Sequence, residues 1–306
     1  MIFIESQSNA SYLLDLKSTT FADGTKKINI VNKKSGTISD ILYRVKSIPL
    51  VWVYEGDSEL FDLISYVSAF RDIRSDIKIT LYLPYVPYAR MDRVELEEDV
   101  FTLKYFANII NSLRFDKVTV LDPHSRVSLA LFDRCTEDKE SLEKLIAFVL
   151  GNIKKKDGGK LTIMFPDRGA YERYTSSLCN LFQEFGIDSF IYGEKRRDWK
   201  TSTIKSFEIQ NLGDKEIQNV LLVDDIFSSG STMKKCIDSI RPIATGNIYV
   251  YCTHTEPASF LEDKIEKVLD ICAGYYTEIS TLLGIIGNES FVRYKEKVNV
   301  LKVNSI

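Results

Sequence analysis

The stretch VLLVDDIFSSGSTM, residues 220–233, runs four apolar residues into two adjacent carboxylates, then into small polar residues ahead of a helical pattern. A buried strand over residues 220–223 would carry Asp224 and Asp225 to the edge of a sheet. Two neighbouring carboxylates there can accept hydrogen bonds from the vicinal hydroxyls of a sugar. Ser228, Ser229, Gly230, Ser231 and Thr232 then form a cradle for phosphate. Small residues let backbone N–H groups approach an anion, hydroxyls add donors, and the following helix offers its positive N-terminus. A diol reader joined to a phosphate reader suits a ribose phosphate. Taken alone, the same residues would also serve as a capped helix after a tight turn.

Four other stretches put charged groups just beyond apolar runs: PYVPYARMDR, DPHS, PDRGA and EKRRD. Arg90 and Arg93 lie three apart, a spacing suited to gripping an anionic polyphosphate. Lys195, Arg196 and Arg197 form a basic triplet of the kind that neutralises a migrating phosphoryl group, although such triplets are more often solvated turns. His124 is one of only two histidines, and a lone histidine is a weak sign of magnesium, which prefers oxygen. Any one of these could be a polar loop. Together they place reactive groups along one edge, and open α/β sheets bind ligands beyond the carboxyl ends of their strands.

The elements that would hold these groups are legible as an alternation. Strand candidates are VWVY (51–54), ITLYLPY (79–85), VTVLDP (118–123), LTIMFPD (161–167), SFIYGE (189–194), NVLLVDD (219–225), NIYVYCT (247–253) and KVLDIC (267–272). Between them lie helical patterns such as SELFDLISYVSAFRDI, VFTLKYFANIINSL, ESLEKLIAFVLGNIK, AYERYTSSLCNLFQEF and TMKKCIDSI. Near-continuous apolar strands alternating with helices predict α/β architecture, with mainly parallel sheets flanked by helices. KKKDGGK (154–160) is a polar break that divides the chain into tandem domains, 1–153 and 154–306. FADGTKKINIV reads instead as a turn into an alternating, antiparallel-style strand.

Composition narrows the function classes. A formal charge of −3 gives no electrostatic reason to expect nucleic acid or an anionic membrane as partner. The 5 cysteines contain no C-x-x-C pair, which argues against a disulfide framework or structural zinc and for a reducing, cytoplasmic setting. MIFIESQSNA lacks the basic and long apolar regions of a signal peptide, and no apolar run is long enough to span a membrane. No G-x-x-x-x-G-K-[ST] pattern occurs, so any use of ATP does not rest on a P-loop.

The motifs in their order resemble the ribose-phosphate pyrophosphokinase (PRPP synthetase) family, particularly its short phage-type form, built from two domains of the type I phosphoribosyltransferase fold. The resemblance runs from FADG at 21–24 to about THTE at 253–256. It implies transfer of the β,γ-pyrophosphate of ATP to the C1 hydroxyl of ribose 5-phosphate, with magnesium, in a cleft between two such domains. PYVPYARMDR is similar to the family's PYFGYARQDR, which implies ATP binding by Arg90, Asp92 and Arg93. FADGT is similar to FSDGE, which implies that Phe21 and Asp23 reach the adenine site of a neighbouring subunit, hence a homodimer or larger assembly. DPHS corresponds to a metal-binding element, giving Asp122 and His124 as magnesium ligands. PDRGA implies that Asp167 lies near both metal and ribose, and VDDIFSSGST gives residues 224–232 as the ribose-phosphate loop. The KRR loop implies that Lys195 and Arg197 steady the transferring pyrophosphate.

Departures from the family pattern leave other readings open. Met91 replaces a usual Gln, Thr25 a Glu, and Ser228 a common Asp; Arg168 is an added cation, and VELEEDV is acidic where longer relatives are basic. The family's first long N-terminal helix has no counterpart. Of these, Arg168, the shortened N-terminus and the altered SSGST loop are compatible with ADP-ribose as a bulkier acceptor, in a route that rebuilds NAD. A base or nucleoside phosphoribosyltransferase would need only one catalytic domain and neither PYARMDR nor the KRR loop. A non-catalytic paralogue would not need to retain the arginines, Lys195, His124 and Asp167.

Overall fold

The computed structural model describes residues 1–302 apart from 7, 188, 198–203 and 215; for 195–197 and 204–206 it describes the backbone alone. The chain divides into two compact units, Met1–Asp138 and Lys139–Lys302. KKKDGGK, the polar break of the sequence, begins inside the helix Lys139–Asp157.

In the first unit the strands are β1 (Ile2–Ile4), β2 (Leu14–Thr20), β3 (Lys26–Asn32), β4 (Ser47–Trp52), β5 (Lys78–Leu83), β6 (Lys117–Val120) and β7 (Cys135–Glu137). The main sheet has the order β1-β4-β5-β6-β7, parallel except for the β1–β4 pair. β2 and β3 form a separate antiparallel hairpin, as the alternation in KKINIVN predicts. The helices Ser58–Ile73 and Thr102–Ser112 place Leu63, Val67, Phe70, Phe106 and Ile110 in one core with Trp52, Leu81 and Val120.

In the second unit the strands are β8 (Leu161–Phe165), β9 (Ser189–Arg197), β10 (Ile204–Gln210), β11 (Asn219–Phe227), β12 (Ile248–Thr255), β13 (Gly274–Glu278) and β14 (Val298–Leu301). Their order is β10-β9-β8-β11-β12-β13-β14, and only β9–β10 is antiparallel. β8 and β12 are buried along their whole length, which explains why they read as unbroken apolar runs. Strand order reverses between β8 and β11, the place where doubly wound sheets open a binding crevice. The β8–β11 pairing ends at Met164 opposite Leu222, whereas β11 stays paired with β12 as far as Phe227. One edge of β11 is therefore released from β8 over its last residues.

Several expectations need correction. KVLDIC is not a strand: residues Glu266–Leu269 are helical, and the strand follows at Gly274–Glu278. A short apolar run has no period long enough to separate helix from strand, and the aromatic, β-branched character that decides it lies in GYYTE. AYERYTSSLCNLFQEF forms two helices, Arg168–Ser177 and Cys179–Glu184, broken at Leu178 with φ −117° and ψ 18°. β9 does not end at Glu194. It continues through Lys195, Arg196 and Arg197 because β10 pairs with it antiparallel, so the basic triplet lies on a hairpin arm rather than in a loop. Likewise β11 runs two residues past the expected end at Asp225, because β12 carries the ladder on to Phe227.

Candidate active site

In the second unit the sheet brings three of the predicted carboxylates together. Asp167 follows β8 and caps the helix Arg168–Ser177, its Oδ1 accepting from the Ala170 N–H at 2.9 Å. Asp224 and Asp225 occupy the end of β11, and the Asp225 N–H donates to Asp224 Oδ1 at 3.0 Å. Arg173, one turn into the Asp167 helix, donates to Asp225 Oδ1 at 2.8 Å, and both side chains are largely buried. Its guanidinium also stands 4.7 Å from the ring centroid of Tyr174, which fixes the plane of the charge.

This crowding has an electrostatic consequence. Burial pushes the Asp224 carboxyl well above the ordinary carboxylate range, and the charges of Asp225 and Asp167 push it further; Arg173 offsets only part of this. A carboxyl poised in this way can exchange hydrogen bonds with sugar hydroxyls as donor or acceptor. The sequence reading missed Arg173, which does not share a helix face with Asp167 by spacing and gains its role only from Asp225 on another element.

The loop after β11 has the shape of a cradle. Gly230 sits at φ 68° and is the N-cap of the helix Ser231–Ile240. That backbone suits glycine, and space demands it as well: a Cβ there would lie 2.6 Å from Cζ of Phe227, a buried ring packed edge-on against Tyr275. Ser229 Oγ donates to Ser231 Oγ at 3.1 Å and accepts from the Ser231 N–H at 3.4 Å, while Ser259 Oγ donates to the Ser228 carbonyl at 2.7 Å. Ser229 and Ser231 are exposed, and Ser228 and Thr232 are half-buried. The helix start and the exposed, mutually bonded hydroxyls of Ser229 and Ser231 thus lie together, an arrangement suited to an anion. The backbone of Lys195 and Arg197 belongs to β9, while their side chains lie outside the described residues.

Within the first unit, PYVPYARMDR follows β5. Tyr88 takes φ 63°, an uncommon conformation for a bulky residue, and its hydroxyl donates to Asp57 Oδ1. Tyr54 donates to the same oxygen at 2.7 Å. Arg90 and Arg93 are exposed; Arg93 Nε donates to the buried Asp92 carboxylate at 2.8 Å. Burial pushes the Asp92 carboxyl up, but hydrogen bonds from Arg93 and Ser125 and the charges of Arg93 and His124 outweigh it and hold the group below the usual value. PYVPYARMDR and DPHS are therefore neighbours. Phe21 and Asp23 lie in the turn of the β2–β3 hairpin. Phe21 is 54% exposed, and Asp23 Oδ1 accepts from the Thr25 N–H and hydroxyl at 3.0 and 2.7 Å.

Among the described residues no group of three or more His, Cys, Asp or Glu side chains is arranged to hold a metal ion. Asp122 is fully buried with φ 40°, Asp167 uses one oxygen as a helix cap, and His124 is exposed. Within the first unit Asp122 and His124 are too few donors for an all-protein cage, and so small a set fits a magnesium ion that takes most of its shell from water and substrate phosphates.

Comparison with known proteins adds relatives to this geometry. Residues 137–273 match the model of the phosphoribosyl transferase domain. The chain is 30% identical over 228 residues to the ribose-phosphate pyrophosphokinase of Sulfolobus acidocaldarius, covering 73% of this chain and 70% of the relative. It is 26% identical over 260 residues to the enzyme of the same name from Sulfurisphaera tokodaii, covering 84% and 81%. The fold is similar to the crystal structure of phosphoribosylpyrophosphate synthetase from Mycobacterium smegmatis, with a TM-score of 0.68 at 16% identity over 94% of this chain and 86% of that one.

Proposed function

This chain belongs to the ribose-phosphate pyrophosphokinase family, and from that premise we propose that it transfers the β,γ-pyrophosphate of ATP to the C1 hydroxyl of ribose 5-phosphate. The observation that carries the reading is the union, on one strand–loop–helix segment, of a carboxylate pair for a diol with an amide-and-hydroxyl cradle for a phosphate. The C1 oxygen attacks the β-phosphorus, the bond from that phosphorus to the α,β-bridging oxygen breaks, and AMP leaves with the bridging oxygen. The hydroxyl proton is released. No protein nucleophile is required, so the chain's contribution is positioning and charge neutralisation.

Asp224 and Asp225 hold the ribose hydroxyls, with Arg173 fixing Asp225. Residues 228–232 hold the 5-phosphate. Arg90 and Arg93 take the triphosphate, with Asp92 bracing Arg93, and Phe21 and Asp23 of a neighbouring copy take the adenine, which makes the active form a homodimer or larger. Lys195 and Arg197 neutralise the migrating pyrophosphate. The family resemblance gives Asp122, His124 and Asp167 as the residues that would hold magnesium, which would supply countercharge for the triphosphate.

ADP-ribose is the alternative suggested by Arg168, the shortened N-terminus and the altered SSGST loop. Arg168 Nε lies 2.8 Å from Glu172 on its own helix, an exposed surface pair that does not tell one acceptor from the other. The names of the relatives, ribose-phosphate pyrophosphokinases, support ribose 5-phosphate. The test is phosphorus NMR of a mixture of the protein, ATP, ribose 5-phosphate and magnesium. A diphosphate ester at C1 appearing in step with AMP supports the assignment; release of ADP, or no new ester, overturns it.

A further inference from the structure

Lys267 belongs to the short helix Glu266–Leu269, in the segment whose apolar pattern reads as a strand. In the fold it reaches the phosphate cradle. Its Nζ lies 3.5 Å from Ser231 Oγ, on the first residue of the helix Ser231–Ile240. Its stem crosses the loop glycine, with Cε 3.1 Å from the position a Cβ on Gly230 would take. Lys234, on the first turn of the same helix, is engaged by Asp238 at 2.6 Å. Among the described residues Lys267 makes no ion pair, and the Ser231 hydroxyl is its hydrogen-bond partner.

We propose that Lys267 is the cationic ligand of the acceptor's 5-phosphate. This rests on the assignment of residues 228–232 as the ribose-phosphate loop and extends it. The loop itself offers only neutral donors, namely backbone amides and hydroxyls, to a group that carries up to two negative charges. An ammonium beside Ser231 supplies the charge that the loop lacks, and a charge-assisted hydrogen bond to phosphate is about twice as strong as a neutral one. The Gly230 position serves both partners, since a side chain there would meet Phe227 and displace the lysine stem. Lys267 thus acts in recognising the acceptor, not in activating ATP.

The test is calorimetric binding of ribose 5-phosphate, and separately of ATP with magnesium, to the full chain as wild type, Lys267→Ala and Lys267→Arg. Thermal unfolding of each variant verifies the fold. Loss of one charge-assisted contact weakens ribose 5-phosphate binding by about tenfold or more in Lys267→Ala. Arginine restores most of that loss, and ATP binding is the same in all three. A wild type that binds ribose 5-phosphate with Lys267→Ala unchanged overturns the role of Lys267 while leaving the acceptor assignment standing. A wild type that binds ATP but no ribose 5-phosphate overturns both. Equal weakening of ATP binding marks a structural role and also overturns the proposal.

Discussion

Arg173 and Asp225 face each other at 2.8 Å from different elements, one on the helix that Asp167 caps and the other on β11. Their pair ties the two sides of the strand-order reversal together and leaves Asp224 as the carboxyl without a full countercharge. Removing one partner of a buried pair strands the other. Arg173→Met is expected to lower unfolding stability by about 3 kcal/mol, read from urea denaturation, and to raise KM for the acceptor more than KM for ATP. A stability change near zero would mean that the pair is not isolated from water.

Asp224 gives a pH dependence of definite sign. Its folded value is raised above the unfolded one, so the folded chain keeps a proton that the unfolded chain has released. The corresponding stability is fully present below about pH 4, the unfolded carboxylate value, and is lost as pH rises through the folded value. Asp224→Asn cannot ionise. Its urea midpoint is expected to fall less than that of the wild type between pH 5 and pH 8, with AMP release strongly reduced. Parallel midpoint curves for the two proteins would contradict this account.

In the first unit Asp57 accepts from two tyrosine hydroxyls, Tyr54 and Tyr88, and the second of these lies in PYVPYARMDR, the segment proposed to bind ATP, with a left-handed backbone. Asp57 is also the N-cap of the helix Ser58–Ile73 but makes no side-chain capping bond, so its substitution acts through the tyrosines. Asp57→Ala is expected to raise KM for ATP about fivefold, with KM for the acceptor unchanged. Asp57→Asn, which retains an accepting oxygen, is expected to fall between the two.

Gly230→Ala tests the cradle by shape. An alanine there takes a left-handed backbone and places its Cβ 2.6 Å from Phe227. A cost of about 2 kcal/mol in stability is expected, from the backbone and the displaced ring together, with acceptor binding lost. Calorimetric titration with ribose 5-phosphate reads the second effect.

Much of this was legible in the sequence because parallel strands buried on both faces must be apolar along their length. The apolar runs of strands Leu161–Phe165, Asn219–Phe227 and Ile248–Thr255 therefore announced themselves, and the polar residues at their ends marked a sheet edge. What failed was partner-dependent. Whether EKRR continues a strand depends on β10, and whether DDIF does depends on β12; neither neighbour is visible in the local pattern. Lys267 was hidden for a related reason, since four apolar-rich residues fit either periodicity. Arg173 escaped because its role needs Asp225, which lies on β11, 52 residues further along the chain.

The most direct test of the central claim is AMP release from ATP and magnesium, run in parallel with ribose 5-phosphate, with ADP-ribose and with no acceptor. The account predicts release that depends on ribose 5-phosphate and far exceeds that with ADP-ribose. Preference for ADP-ribose, or release indifferent to the acceptor, would contradict it.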